Sequence, residues 1–407
     1  MRPGSQRHKN LYEPRIDSSV FLHFGFIFAL LYVFLRVLDV LVFHAGGVSK
    51  YMLVLAAFLI CMPSLLGVME YKRVRISVAM RAQVVLFITA GTAILWQLTT
   101  ITDYISSTGN SLQTQFLGNL VTAFLWLFIG INSSGLPFSR KLSFASFIVF
   151  IITTALVLLS PKERGLVDFS TLGFEYSHLS IDGQLAVISL IAFSLAKPRW
   201  RFLVLLVGCL SALFLGSRGT FVSLVLSGVL TLSFQRSSLM SLNFLRDLVI
   251  ITLSILVFVI LVGGGLSERF FFTSKVGDST SLLLRLEQLQ AGLGSLPEHV
   301  WFGDITSSAK YFGDDGYYIH NILSAAQYLG VGFFIALTCV ILMALGILRC
   351  KASDPNFTLS VTIFLYGLIS VLFFKFFTFW VFWFGLGLVL GFRSETMLDA
   401  GVVSRNS

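Results

Sequence analysis

Residues Tyr318 to Ile347 read YIHNILSAAQYLGVGFFIALTCVILMALGI, thirty positions without a Lys, Arg, Asp or Glu. A helix needs roughly 20 apolar residues to cross the ~30 Å hydrocarbon core of a bilayer. This run is long enough to span one. Comparable runs recur at 19–44, 51–68, 83–99, 115–132, 143–160, 183–196, 202–216, 219–234, 247–265, 357–374 and 376–391. The expected fold class is therefore an all-α integral membrane protein with about twelve transmembrane helices. The runs at 202–216 and 219–234 are short and flank Ser217-Arg218-Gly219. They either dip partly into the membrane or thin it locally.

Composition agrees with this reading. Only 12% of the 407 residues are charged and 56% are hydrophobic, against about 25% charged in a soluble domain. Mean hydropathy is +0.86. The net charge of +9 fits basic residues retained on a cytoplasmic face rather than nucleic-acid binding. Of the four cysteines, Cys61, Cys209 and Cys339 fall in apolar runs and Cys350 lies at a span end, with no CxxC. That pattern suits neither a disulfide framework nor a zinc site. Arg2, Arg7, Lys9 and Arg15 precede a first run too long for a signal-peptide core, so an uncleaved first span is expected.

Lysine and arginine bias sets the expected orientation. Alternate connecting segments, with both termini, hold nineteen of the 29 basic residues, and the opposite segments hold nine. The richer side is expected to be cytoplasmic. This predicts a cytoplasmic N-terminus at 1–18, helices 1–9 across 19–265, a large periplasmic loop at 266–317, helices 10–12 across 318–391 and a cytoplasmic C-terminus at 392–407. Long loops of this kind are commonly functional. The large loop contains an amphipathic stretch, Ser281 to Leu296, with Leu282, Leu286, Leu289 and Leu293 at helical spacing. It reads as a helix lying at the membrane surface.

No GxxxxGK[ST], HExxH or GxSxG motif occurs, so attention falls on ionisable groups of the outer side. Arg218 sits between two short apolar runs with flanking glycines. Guanidinium suits bidentate phosphate binding, and a headgroup-facing arginine is the alternative. Arg285 lies on the amphipathic stretch, as a site residue or an ordinary solvated one. His320 opens the long tenth span, where the positive end of a helix dipole disfavours an imidazolium. It is a candidate base near neutral pH, or a structural histidine. Asp314 and Asp315 could bind a metal, as two adjacent acids without further ligands beside them. Arg36 and Asp39, three apart in the first span, are spaced to pair within a helix, as a functional pair or in simple mutual neutralisation. Lys375 lies between the last two spans. Glu163, Arg164, Asp168, Glu175 and His178 populate the other outer loop and could meet a polar substrate or only water.

Together these residues carry a resemblance. Ser217-Arg218-Gly219 resembles the S-R-G element of the O-antigen ligase and O-antigen polymerase superfamily. Arg285-Leu-Glu-Gln-Leu-Gln-Ala-Gly-Leu, followed by Pro297-Glu-His-Val-Trp-Phe-Gly303, resembles its arginine segment and the proline-to-glycine turn after it. Tyr318-Ile-His320-Asn321-Ile-Leu-Ser, followed by Leu329-Gly-Val-Gly332, resembles its His-Asn element. The motifs cover residues 200–345, and the first half matches in hydropathy alone. Two departures stand out: Gln288-Leu-Gln replaces a tryptophan frequent after the arginine, and the loop before His320 is short for a ligase.

The resemblance implies a membrane-embedded, GT-C-like glycosyltransferase in the bacterial inner membrane, with its active face periplasmic and no metal or other cofactor. Its donor would be an undecaprenyl-pyrophosphate-linked glycan. The acceptor would be a further glycan, for a polymerase, or lipid A-core, for a ligase. The short loop favours the polymerase. Membrane lipids and a chain-length regulator protein are the further partners implied, with no nucleic acid. His320 would be the base, and Arg218 and Arg285 would hold the pyrophosphate. Arg36, Lys375, Asp315, Tyr318 and Asn321 are further candidate substrate contacts. A flippase or transporter of lipid-linked sugars and a purely structural membrane protein are the readings from other classes.

Overall fold

The computed structural model describes residues 30–38, 78–100, 112–134, 140–163, 166–168, 181–235, 280–307, 319, 321–351 and 357–403. The expected spans at 51–68 and 247–265 lie outside these residues. The described chain is helical apart from one hairpin of two-residue strands. The helices are α1 (30–38), α2 (Val78–Thr100), α3 (Leu112–Asn132) and α4 (Arg140–Leu159). Then come strands β1 (Lys162–Glu163) and β2 (Leu166–Val167), α5 (Asp182–Leu195), α6 (Pro198–Phe214) and α7 (Arg218–Gln235). The last four are α8 (Thr280–Ser295), α9 (Ser324–Lys351), α10 (Thr358–Phe373) and α11 (Trp380–Val403).

Burial sorts the helices into a centre and a rim. Every residue of α5 from Asp182 to Ser194 is buried, as is α10 from Thr358 to Val371. By contrast α2 exposes Val84, Phe87, Ile88 and Leu95, and α4 exposes Phe144, Ile151 and Leu159. Helices apolar on both faces belong in a membrane, because water would be a poor solvent for the outward face. The chain is thus an all-α membrane protein. Among the described residues three helices, Ala79–Thr100, Gln113–Ile131 and Ser324–Arg349, are long and apolar enough to cross by themselves.

Lipid tails are as apolar as the helix surfaces, so association depends on close packing of backbones. Glycines supply it here. A Cβ on Gly130 of α3 would meet the Phe384 carbonyl oxygen of α11 at 2.3 Å, and one on Gly387 the Leu127 carbonyl oxygen at 2.2 Å. Gly367 of α10 lies against the backbone of Phe382, and Gly385 of α11 against that of Phe364. Aromatic rings fill the space around them. Trp126 packs on Trp380 with ring centroids 4.6 Å apart, and Phe124 meets Trp383 edge-on at 5.3 Å.

The long run at 318–347 is not one straight helix. Helix α9 begins at Ser324, four residues after His320, and breaks at Gly330 (φ 79, ψ 171). The turn that follows α8 fills the break. Val331 N donates to Val300 O at 2.7 Å and Asp304 N donates to Gln327 O at 2.9 Å. Gly303 is also left-handed (φ 70), and its missing side chain admits the Tyr328 carbonyl group. Gln97 of α2 closes this junction. Its amide nitrogen donates to the carbonyls of Phe302 and Tyr328 at 2.5 and 2.7 Å, and its oxygen accepts from Ile305 N at 3.0 Å. Gln97 is buried, so truncation strands three backbone groups. Gln97→Ala is expected to destabilise the protein by about 2–4 kcal/mol, read as a clearly lowered melting midpoint in detergent. An unchanged midpoint would contradict that role.

Candidate functional site

The Arg218 junction and the Lys375 loop meet at one end of the bundle, around a buried carboxylate. Asp182 opens α5 and is 1% exposed. Its Oδ2 accepts hydrogen bonds from Ser217 Oγ at 2.8 Å, Thr220 Oγ1 at 2.8 Å and Lys375 Nζ at 2.7 Å. Its Oδ1 accepts from Gly183 N at 2.6 Å. A buried charge is tolerable only when paired and hydrogen-bonded, and this one is both.

Each partner is delivered by local backbone geometry. Helix α6 ends in a left-handed glycine, Gly216 (φ 71). Gly216 N donates to Leu213 O at 2.8 Å and Ser217 N to Ala212 O at 3.2 Å, the paired bonds of a Schellman stop. Ser217 then starts α7, accepting from Phe221 N at 3.0 Å. Arg218 is the first helical residue, half-buried, between the two hydroxyl residues that hold Asp182. Across from it, α10 ends where Phe374 N and Lys375 N both donate to Ser370 O, at 2.8 and 2.7 Å. Gly219 and Gly183 make this approach possible. A Cβ on Gly219 would strike Phe374 Cβ at 2.9 Å, and one on Gly183 would meet the Phe379 ring at 3.1 Å.

Two further elements reach the same end. The Asn321 turn is tied to the Lys375 loop through Ser324. Ser324 Oγ donates to Asn321 O at 2.6 Å and accepts from Phe377 N at 3.3 Å. Asn321 Oδ1 accepts from Leu323 N at 2.8 Å. His320, Tyr318, Asp314 and Asp315 lie outside the described residues; Ile319 and Asn321, on either side of His320, lie within them and are not helical. Arg36 is half-buried on α1. Its neighbour Val37 shares an apolar cluster with Val167, Ile181 and Leu215, which flank Asp168, Asp182 and Gly216. Asp39, its expected partner, lies outside the described residues, as do Arg164, Glu175 and His178.

Arg285 sits on α8 and is exposed. This helix turns Gln288, Gly292 and Ser295 toward the protein and leaves Leu286 and Leu293 exposed. Gly292 is the contact with the His-Asn segment, since a Cβ there would meet Ile319 Cγ1 at 2.4 Å. Gln288, one turn earlier, holds a buried Oε1 with no hydrogen-bond partner among the described residues.

No family model, curated protein or solved structure matches the chain. What the site can do therefore follows from its own chemistry. Three cationic residues, Arg36, Arg218 and Lys375, are brought to one end of an apolar bundle, with Asp182 bonded to Lys375 and to the hydroxyl residues Ser217 and Thr220 that flank Arg218 and Gly219. Sequence reading singled out these three and missed Asp182. The only signal for it was an acid at the first position of an apolar run, in Asp182-Gly183-Gln184.

Proposed function

We propose that the chain is a metal-independent, membrane-embedded glycosyltransferase that joins lipid-linked glycan repeat units. The observation that carries this is the meeting, at one end of the bundle, of the Arg218 junction, the Lys375 loop and the turn at Asn321. Helix α8 joins them by packing Gly292 on Ile319. In this reading the bundle has about twelve spans, lies in a bacterial inner membrane, and turns its site end to the periplasm.

The chemistry needs two things. A base must take the proton of the acceptor hydroxyl as its oxygen attacks the anomeric carbon. Cations must then receive the diphosphate as its bond to that carbon breaks. His320 is assigned the first role, and Arg218 with Arg285 the second. Fixed charges in a water-poor site stabilise such a leaving group by several kcal/mol. The donor is an undecaprenyl-pyrophosphate-linked glycan, drawn laterally from the membrane that the exposed apolar helices face.

The acceptor separates the close alternatives. Purified protein is given a single lipid-linked repeat unit, with and without lipid A-core. Polymerisation predicts a ladder of longer glycans in both arms. Product formed only with the core would replace this reading with a ligase. Gradient-dependent passage of the lipid-linked sugar across proteoliposomes, without bond formation, would replace it with a transporter. A transporter needs a polar path through the bundle, whereas the Asp182–Lys375 pair sits at one end of it.

A further inference from the structure

We infer that Asp182 is the positioning residue of a two-cation diphosphate subsite formed by Lys375 and Arg218, an inference that rests on the function proposed above and names a part of its donor site. Lys375 Nζ donates to Asp182 Oδ2 at 2.7 Å, yet the lysine side chain is 16% exposed while that of Asp182 is 1% exposed. Asp182 is sealed and cannot itself meet a ligand. The ammonium has three donors, and its partial exposure leaves it reachable. Phe379 lies under it, with the ring centroid 5.6 Å away, and this contact helps hold the cation in one place.

The same Oδ2 accepts from Ser217 and Thr220, the residues on either side of Arg218 and Gly219. Phe374, packed on Gly219, joins the Lys375 loop to that turn directly. One oxygen therefore fixes both cation-bearing segments, which come from positions 193 residues apart from Asp182 in one case and 35 to 38 in the other. A buried carboxylate needs hydrogen bonds besides its ion pair, and here they come from the turn that carries Arg218. A lone capped turn would not need the lysine. The combination ties two cation-bearing segments to one oxygen, and the adjacent phosphoryl groups of a diphosphate are matched by two cations held near each other.

The test is equilibrium binding to the full-length protein in phosphatidylcholine nanodiscs, with undecaprenyl pyrophosphate and inorganic pyrophosphate as separate probes. The variants are Lys375→Met, Lys375→Arg, Asp182→Asn and the double Asp182→Asn/Lys375→Met, each with its melting midpoint. Lys375→Met is expected to weaken binding by about tenfold, and Lys375→Arg to stay within about threefold of wild type. Asp182→Asn is expected to weaken binding comparably. In the Lys375→Met background the same change should cost clearly less than it does in the wild type, the remainder acting through the Arg218 turn. The double variant carries no unpaired buried charge, so it reports even where Asp182→Asn alone fails to fold. Preference for the lipid probe assigns a lipid-borne diphosphate, and equal binding of both assigns the diphosphate group alone. Wild-type affinity in folded Lys375→Met, or lowered midpoints with unchanged affinities throughout, would overturn the inference, as would wild-type protein that binds neither probe. Expected binding without any glycan transfer would keep the subsite and remove the glycosyltransferase reading. Glycan transfer with binding indifferent to Lys375 would do the reverse.

Discussion

A Gly330→Ala variant is expected to accumulate little folded protein and, where it can be purified, to melt far below wild type. Gly330 holds φ 79 and ψ 171, a region that essentially only glycine occupies, at a cost of about 1–3 kcal/mol for other residues. The larger effect is steric. Its Cβ would stand 2.1 Å from the carbonyl oxygen of Trp301 and 2.4 Å from the carbonyl carbon. Those atoms are backbone and cannot rotate away. Relief requires α9 to part from the turn at 300–304, which breaks the Val331–Val300 and Asp304–Gln327 hydrogen bonds and strips Gln97 of its partners. The sum is expected to exceed about 4 kcal/mol. Gly332→Ala is the control. Nothing lies within 4 Å of a Cβ there, and replacing a helical glycine by alanine is worth roughly 0.5–1 kcal/mol in favour of the variant. Size-exclusion yield and thermal midpoint in detergent separate the two, and a Gly330→Ala variant that matches wild type on both would refute the docked-turn arrangement.

The second large effect is on turnover. His320→Ala is expected to lower glycan transfer by about 10²–10⁴-fold, the usual contribution of a positioned general base, with little change in folded yield. Arg285→Ala is expected to lose about 10²–10³-fold, the scale seen when one group stabilising developing charge is removed. Arg285 is exposed on α8, so midpoints should stay close to wild type. Arg285→Lys should recover only part of the activity, because an ammonium does not reproduce the bidentate fork of a guanidinium. Initial rates on a lipid-linked repeat unit supply the measurement. Turnover by either alanine variant within a few-fold of wild type would remove that residue from the mechanism.

Much of the fold is legible because membrane spans announce themselves by length. The runs at 83–99, 115–132, 143–160, 183–196, 202–216, 219–234 and 357–374 each find a helix within a few residues of their expected place. The amphipathic stretch expected from Ser281 to Leu296 is the helix Thr280–Ser295. The break in α9 is different. Leu329-Gly-Val-Gly332 is as apolar as its surroundings, and no local signal says which glycine has a positive φ. That depends on the carbonyl of Trp301, which arrives from a separate segment. Gln97 likewise reads as a polar residue closing a span, while its three bonds go to residues more than 200 positions away.

The site divides along the same line. Arg218 and Lys375 stand out in sequence because cations beside apolar runs are expensive. Asp182 does not, since an acid at the start of a span looks like the end of a loop. Its role appears only once Lys375, 193 residues away, is placed on it. The expectation that His320 opens a helix also required knowing where α9 begins, and Ser324 sets that start by bonding back to Asn321 and across to Phe377. Local pattern thus located the cations, and only long-range contacts located the carboxylate that holds them.

The most direct test of the central claim is donor turnover by the purified wild-type protein. An undecaprenyl-pyrophosphate-linked repeat unit is supplied in detergent with a metal chelator, and released undecaprenyl pyrophosphate is followed beside glycan length. The account predicts that the two rise together, one carrier released for each unit added, with the chelator present. A folded wild-type protein that releases no carrier and lengthens no glycan, with or without divalent metal, would contradict it.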